Sequence, residues 1–227
     1  LPLREIVDEV RLRADTRFVV IDGAQALGHV PMRLADLGCD LFLAGSHKWL
    51  QAYNSLGLAF FGHPRSASWI EEEIQQLLAS RRIDDPLLRF TREMETGCFT
   101  RFGETVNLLP LFTCQGAVAD QSVESIEDAY AQRRRNAEIA CEMLPSTCFN
   151  PVRPSHKMRS AILLCRATSK WIRNLDPREL RRLLHDAGIA ASTYRGGLVR
   201  FAMPATRISL TRLQRLSFPF ATTPNLV

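Results

Sequence analysis

Three short apolar runs constrain the fold more than any other feature of this chain. They are RFVVID (17–22), CDLFLAG (39–45) and SLGLAFFG (55–62). Each is hydrophobic almost without interruption. That is the pattern of a strand covered on both faces, as in parallel sheets, and differs from the in-out alternation of a strand with one wet face. The connections between them are short. After Asp22 comes DGAQALGHVP, a glycine-containing turn, and then a short helical stretch around Leu34 to Leu37. Three such runs predict an α/β fold, a mainly parallel sheet with its loops gathered at one edge.

Helical periodicity surrounds these runs. Leu3, Ile6, Val7, Val10 and Leu12 recur near the helical period ahead of the first strand. SWIEEEIQQLLAS (68–80) places Trp69, Ile70, Ile74, Leu77 and Leu78 on one face. Residues 81–105 have no clean period and read as a long functional loop. Helices follow at NLLPLFTCQGAVADQ (107–121) and SIEDAYAQRRRNAEIACEML (125–144), the second amphipathic through Ile126, Tyr130, Ile139 and Met143. The remainder reads as a smaller α+β unit. It has a strand at SAILLCRA (160–167), a helix at DPRELRRLLHDAG (176–188), and short strands at IAAS (189–192) and LVRFAMP (198–204). The 176–188 helix is strongly marked, with Asp176 as N-cap, Pro177 next, Glu179 in the first turn and Gly188 past the end. Two domains are expected, 1–125 and 126–227.

Composition narrows the function classes. The net charge is +5 at pH 7, but the arginines are scattered or lie in helical stretches such as QRRRNAE, where Glu127, Asp128 and Glu138 stand near Arg133, Arg134 and Arg135. That is a solvated helix face, not the aromatic-interleaved basic patch of a nucleic-acid binder. The six cysteines show no CxxC pair and no histidine at metal-ligand spacing, so neither a zinc site nor a disulfide framework is expected. A reducing, cytoplasmic setting follows. No apolar run approaches the ~18 residues of a membrane helix, and no signal peptide is seen.

The chemistry is expected where the strands end. Asp22 closes the first apolar run, and Ser46, His47 and Lys48 follow the second. Taken singly these are a turn aspartate, a loop histidine and a solvated lysine. Taken together on consecutive strand ends they face one crevice, because ligands of open parallel sheets bind outside the carboxyl ends of the strands. A carboxylate and an amine so placed suit pyridoxal phosphate, whose aldehyde needs a lysine and whose ring nitrogen needs an anionic partner.

VVIDGAQALGHVPMRLADLGCDLFLAGSHKWL (19–50) resembles the core of the class V aminotransferases. This is the fold type I group that also includes cysteine desulfurases and isopenicillin epimerase-like proteins. The HKWL wording is closest to the epimerase-like branch. The resemblance is specific over residues 1 to about 62 and looser to about 210. It implies that Asp22 pairs with the pyridine nitrogen and that Gln25 bonds the phenolic oxygen. Lys48 holds the cofactor as a Schiff base, and His47 contacts its phosphate. Where the family usually has a serine two positions before the histidine, this chain has Gly45, and Ser46 is the shifted phosphate ligand. RFGETVNLLPL (101–111) is similar to the segment whose threonine reaches the phosphate in the partner subunit, which implies Thr105 in that role and a homodimer. GGLVRFAMPA (196–205) is similar to the segment whose arginine grips the substrate carboxylate, which implies Arg200.

The implied activity is that of a pyridoxal-phosphate-dependent enzyme acting on an amino acid, with freed Lys48 as general base at Cα. Residues 1–125 would be the carboxyl-terminal portion of the cofactor-binding large domain, and 126–227 the small domain. The chain enters the family pattern midway, so a truncated, non-catalytic remnant or interaction protein is the alternative of a different class. A desulfurase or C–S lyase is another alternative, but IAASTYRGGLVR (189–200) lacks the desulfurase cysteine.

Overall fold

The computed structural model describes residues 1–80, 82, 97, 107–144, 148–209 and 211. They fall into two compact units, Leu3–Gln121 and Ser122 onward with Leu1–Pro2.

In the first unit, α1 (Leu3–Arg13) precedes β1 (Val20–Asp22), β2 (Leu41–Gly45) and β3 (Gly57–Phe61), and α2 (Pro64–Ala79) and α3 (Leu109–Ala119) follow. The sheet order is β1-β2-β3. β1 runs parallel to β2, with Asp22 opposite Leu43, whereas β3 returns antiparallel, with Gly45 opposite Gly57. The expectation of parallel neighbours therefore holds for one of these two pairings. The physical reason lies in the connections: a parallel return needs a crossover, and the link from β2 to β3 is a loop without one.

The first apolar run is also less covered than its composition predicts. Only its last three residues form strand, and Val20 is 51% exposed. Among the described residues β1 is an edge strand with no neighbour on its outer side. Phe42 of β2 is the buried anchor. Gly23, just past β1, lies against that ring so closely that a Cβ would come 1.8 Å from Phe42 Cζ.

Asp40 ties the unit together at the start of β2. Its Oδ2 accepts from Arg11 Nη2 at 2.7 Å and from the Val19 amide at 2.8 Å, while Oδ1 accepts from Ser66 Oγ at 2.9 Å. Helix, edge strand and α2 thus meet at one carboxylate. Partial burial works to raise its pKa, but the Val19 amide, the Ser66 hydroxyl and Arg11 outweigh that and hold it below its ordinary value.

The second unit contains α4 (Val123–Met143), β4 (Phe149–Pro151), β5 (Ile162–Ala167), α5 (Lys170–Asn174), α6 (Pro177–Asp186), β6 (Ser192–Tyr194) and β7 (Leu198–Ala202). Its antiparallel sheet has the order β4-β5-β7-β6. Phe149, Cys165, Val199, Leu144, Ile172, Leu180 and Leu184 form its core. The N-cap predicted for α6 is present, with Asp176 Oδ1 accepting from the Arg178 amide at 2.8 Å. β4 and α5 were not anticipated, being too short to show a period.

α4 begins two residues before its sequence signal, because Ser122 and Ser125 form a reciprocal capping box. The arginine run on α4 is not uniformly solvated either: Arg133 is buried, and desolvation lowers its pKa. Asn136, fully buried beside it, donates to the carbonyls of Pro204 and Thr206, both at 2.8 Å, and accepts from Gln132 and the Ile208 amide. No described helix is long and apolar enough to cross a membrane.

Candidate functional site

Parallel pairing of β1 and β2 delivers both strands' carboxyl ends to one edge of the sheet. Asp22 is the last residue of β1, and the turn Ser46-His47-Lys48 starts one residue after β2 ends. The face follows from the pleat. Gly45 shares a face with Leu43, two residues earlier, and Leu43 is in register with Asp22. A Cβ on Gly45 would come 2.9 Å from His47 Cε1. The imidazole therefore lies over the face from which Asp22 projects. Asp22, His47 and Lys48 are all exposed.

The turn after β1 shapes the rest. Asp22 Oδ1 accepts from the Ala24 amide at 2.9 Å, and Ala26 and Leu27 amides both close on the Gly23 carbonyl. Asp22 Oδ2 is left to accept from an outside donor. Gln25 is exposed three residues after Asp22, and its Oε1 accepts from Trp49 Nε1 at 3.1 Å. Trp49 itself is half-buried. It stacks on His29, with ring centroids 3.8 Å apart. His29 is 1% exposed.

Ser46 behaves differently from its neighbours. It is fully buried, its Oγ accepts from the Leu56 amide at 2.9 Å and donates to the Asn54 carbonyl at 3.3 Å, and its own amide donates to the Leu56 carbonyl. These bonds commit the hydroxyl to closing the loop between β2 and β3. The structure does not present Ser46 to a phosphate, contrary to its expected role as a phosphate ligand. At Gly45, where a Cβ would come 2.9 Å from His47 Cε1, a longer side chain would require the exposed imidazole to move.

Arg200 lies in the other unit, on β7. Its Nη2 donates to Ser192 Oγ at 3.1 Å across the β6–β7 pairing. Among the described residues no carboxylate pairs with it. It borders a cavity of about 300 Å3 together with Arg181 and His185 of α6. Thr105 lies outside the described residues. The five described cysteines are free thiols. Burial, with a contribution from Cys141, pushes the Cys165 thiol up to about 12, which leaves it inert at neutral pH.

The donor set fits pyridoxal phosphate. An exposed carboxylate with one unpaired oxygen suits a protonated ring nitrogen, an amide with its NH2 outward suits a phenolic oxygen, and an exposed amine suits an aldehyde. His29 and Trp49 were not singled out as site residues in the sequence. The adjacency of Trp49 to Lys48 was the available signal, but its bond to Gln25 depends on how the two turns fold.

A family model described as aminotransferase class-V matches residues 1–63. Over 79 residues the chain is 33% identical to isopenicillin N epimerase of Streptomyces clavuligerus, covering 32% of this chain and 19% of the epimerase. It is 48% identical over 33 residues to hercynylcysteine sulfoxide lyase of Schizosaccharomyces pombe, covering 14% of this chain and 8% of the lyase. The solved pyridoxamine-pyruvate aminotransferase from Mesorhizobium loti shares the fold, with a TM-score of 0.69 at 16% identity, over 97% of this chain and 56% of that one. The chain thus spans about half the length of that solved relative and less of the curated ones. Residues 1–63 carry the class V aminotransferase pattern, and the chain has part of the pyridoxal-phosphate fold type I architecture.

Proposed function

We propose that this chain supplies the covalent side of a pyridoxal-phosphate site in an enzyme of the class V aminotransferase type that acts on an amino acid. The observation that carries this is the gathering of Asp22, His47 and Lys48 at one edge of a parallel strand pair, with Asp22 and the His47 ring on one face. When bound, the cofactor supplies an electron sink for charge developing at the substrate's Cα. The residues do the rest. Asp22 holds a proton on the ring nitrogen through Oδ2. Gln25 Nε2 donates to the phenolic oxygen. His47 donates to the phosphate. Lys48 holds the cofactor by its amine and is the base placed to accept or return the Cα proton. Ser46 supports this set by fixing the loop that follows, and it is not proposed as a ligand.

In the second unit, Arg200 is proposed to bind the substrate carboxylate, since a guanidinium that no carboxylate among the described residues engages is available as a bidentate donor. Thr105 is proposed to reach the phosphate of the other subunit in a homodimer. A cytoplasmic setting accords with the free thiols.

The chain has three lysines, Lys48, Lys157 and Lys170, which makes the test sharp. Purified chain is incubated with pyridoxal phosphate, reduced with borohydride and mapped by peptide mass spectrometry. The expected result is a visible absorbance band that reduction abolishes, with the label on Lys48, and loss of both in Lys48→Ala. Equal labelling of Lys157 and Lys170, or a band that survives Lys48→Ala, would overturn the proposal.

A further inference from the structure

We propose that Trp49 is a positioning residue that fixes the amide of Gln25 in its donating orientation. This inference rests on the cofactor reading above and extends it to a residue that the reading does not use. The indole N–H is a donor with no acceptor capacity, and it engages Gln25 Oε1 at 3.1 Å. Gln25 is otherwise an exposed side chain whose amide is free to turn over. With Oε1 held by Trp49, the NH2 is the end left for a ligand. A phenolic oxygen, rich in electrons, needs that donor. The reverse orientation would set carbonyl lone pairs against it and leave the indole facing an NH2, with two donors and no bond.

Trp49 is itself held from two sides. One face of its ring stacks on the buried His29 at 3.8 Å, with the planes 26° apart. Its backbone lies against the turn that carries Gln25. Gly28, at φ +74°, would place a Cβ 2.8 Å from the Leu50 nitrogen and 3.0 Å from the Trp49 carbonyl carbon. The turn after β1 and the turn after β2 therefore interlock around this side chain. A residue directly following the proposed covalent lysine thereby reads out the position of a residue three places after the proposed anionic partner.

Trp49→Phe keeps a ring to stack on His29 and removes only the donor. The chain has three tryptophans, so its indole N–H signals are few, and the one lost in Trp49→Phe identifies itself. In the cofactor-free protein that signal is expected to shift in Gln25→Ala, and its exchange with solvent to accelerate about five- to tenfold, as for loss of one hydrogen bond. With pyridoxal phosphate added, Trp49→Phe is expected to retain labelling at Lys48. The pH midpoint of its visible band should rise by about 0.5–1 pH unit. Gln25→Ala should move the midpoint the same way, and the double variant no further than the larger single one. Additive shifts, or an indole signal indifferent to Gln25→Ala, would overturn this inference whatever the cofactor does. An unlabelled Lys48 in the wild-type chain would instead overturn the reading on which it rests.

Discussion

At the scale of single residues, the first unit is organised by small groups that hold several partners at once. Asp40 is the example with the most direct consequence. Its carboxyl lies below its ordinary value in the folded chain, so it contributes stability at every pH above the unfolded range, near about 3.9. That contribution is lost as the pH falls toward the depressed folded value. Asp40→Ala is therefore expected to cost about 2 kcal/mol at pH 7 and progressively less below pH 4, read from urea unfolding at the two pH values. Equal losses at pH 7 and pH 3 would show that the carboxylate's charge plays no part. Much of the proposed site was legible at this scale, because Asp22, Gln25, His47 and Lys48 are close in sequence to strands whose apolar runs are plain. What no spacing reveals is the commitment of Ser46 to the loop that follows it. Its hydroxyl is used by Leu56 and Asn54, ten and eight residues away, once the loop has closed.

At the scale of elements, caps were the most readable signals and pairing directions the least. α6 starts where Asp176 and Pro177 predicted, since an N-cap acts on amides a residue or two away. The start of α4 is harder to read, because its box uses serine at both positions in place of the usual glutamate at the second. Ser122→Ala removes the acceptor for the Ser125 amide and is expected to cost about 1 kcal/mol, with the helix losing its first turn in amide-exchange measurements. Unchanged protection at Ser125 would refute this. The antiparallel return of β3 was hidden for a different reason. A run such as SLGLAFFG is apolar whichever way the chain travels, and only the geometry of its connection decides the direction.

At the scale of the whole molecule, the two units differ in how well they enclose their apolar residues. The second contains a continuous core whose members run from Ala137 to Met203. In the first, Leu109, Leu111, Phe112 and Val118 of α3 are each more than half exposed, and so is Val20 on β1. The outer rim of β1 carries amide and carbonyl groups that no described strand satisfies. A bare rim of this kind recruits further ribbon, so the chain should self-associate as it is concentrated. Val20→Lys should suppress that in sedimentation runs without dissolving the fold, and equal association in both proteins would point elsewhere, to α3 for example. The same rim lies one strand from Lys48, so whatever comes to cover it will also wall one side of the lysine's surroundings. The reactivity of that amine would then report on the state of assembly.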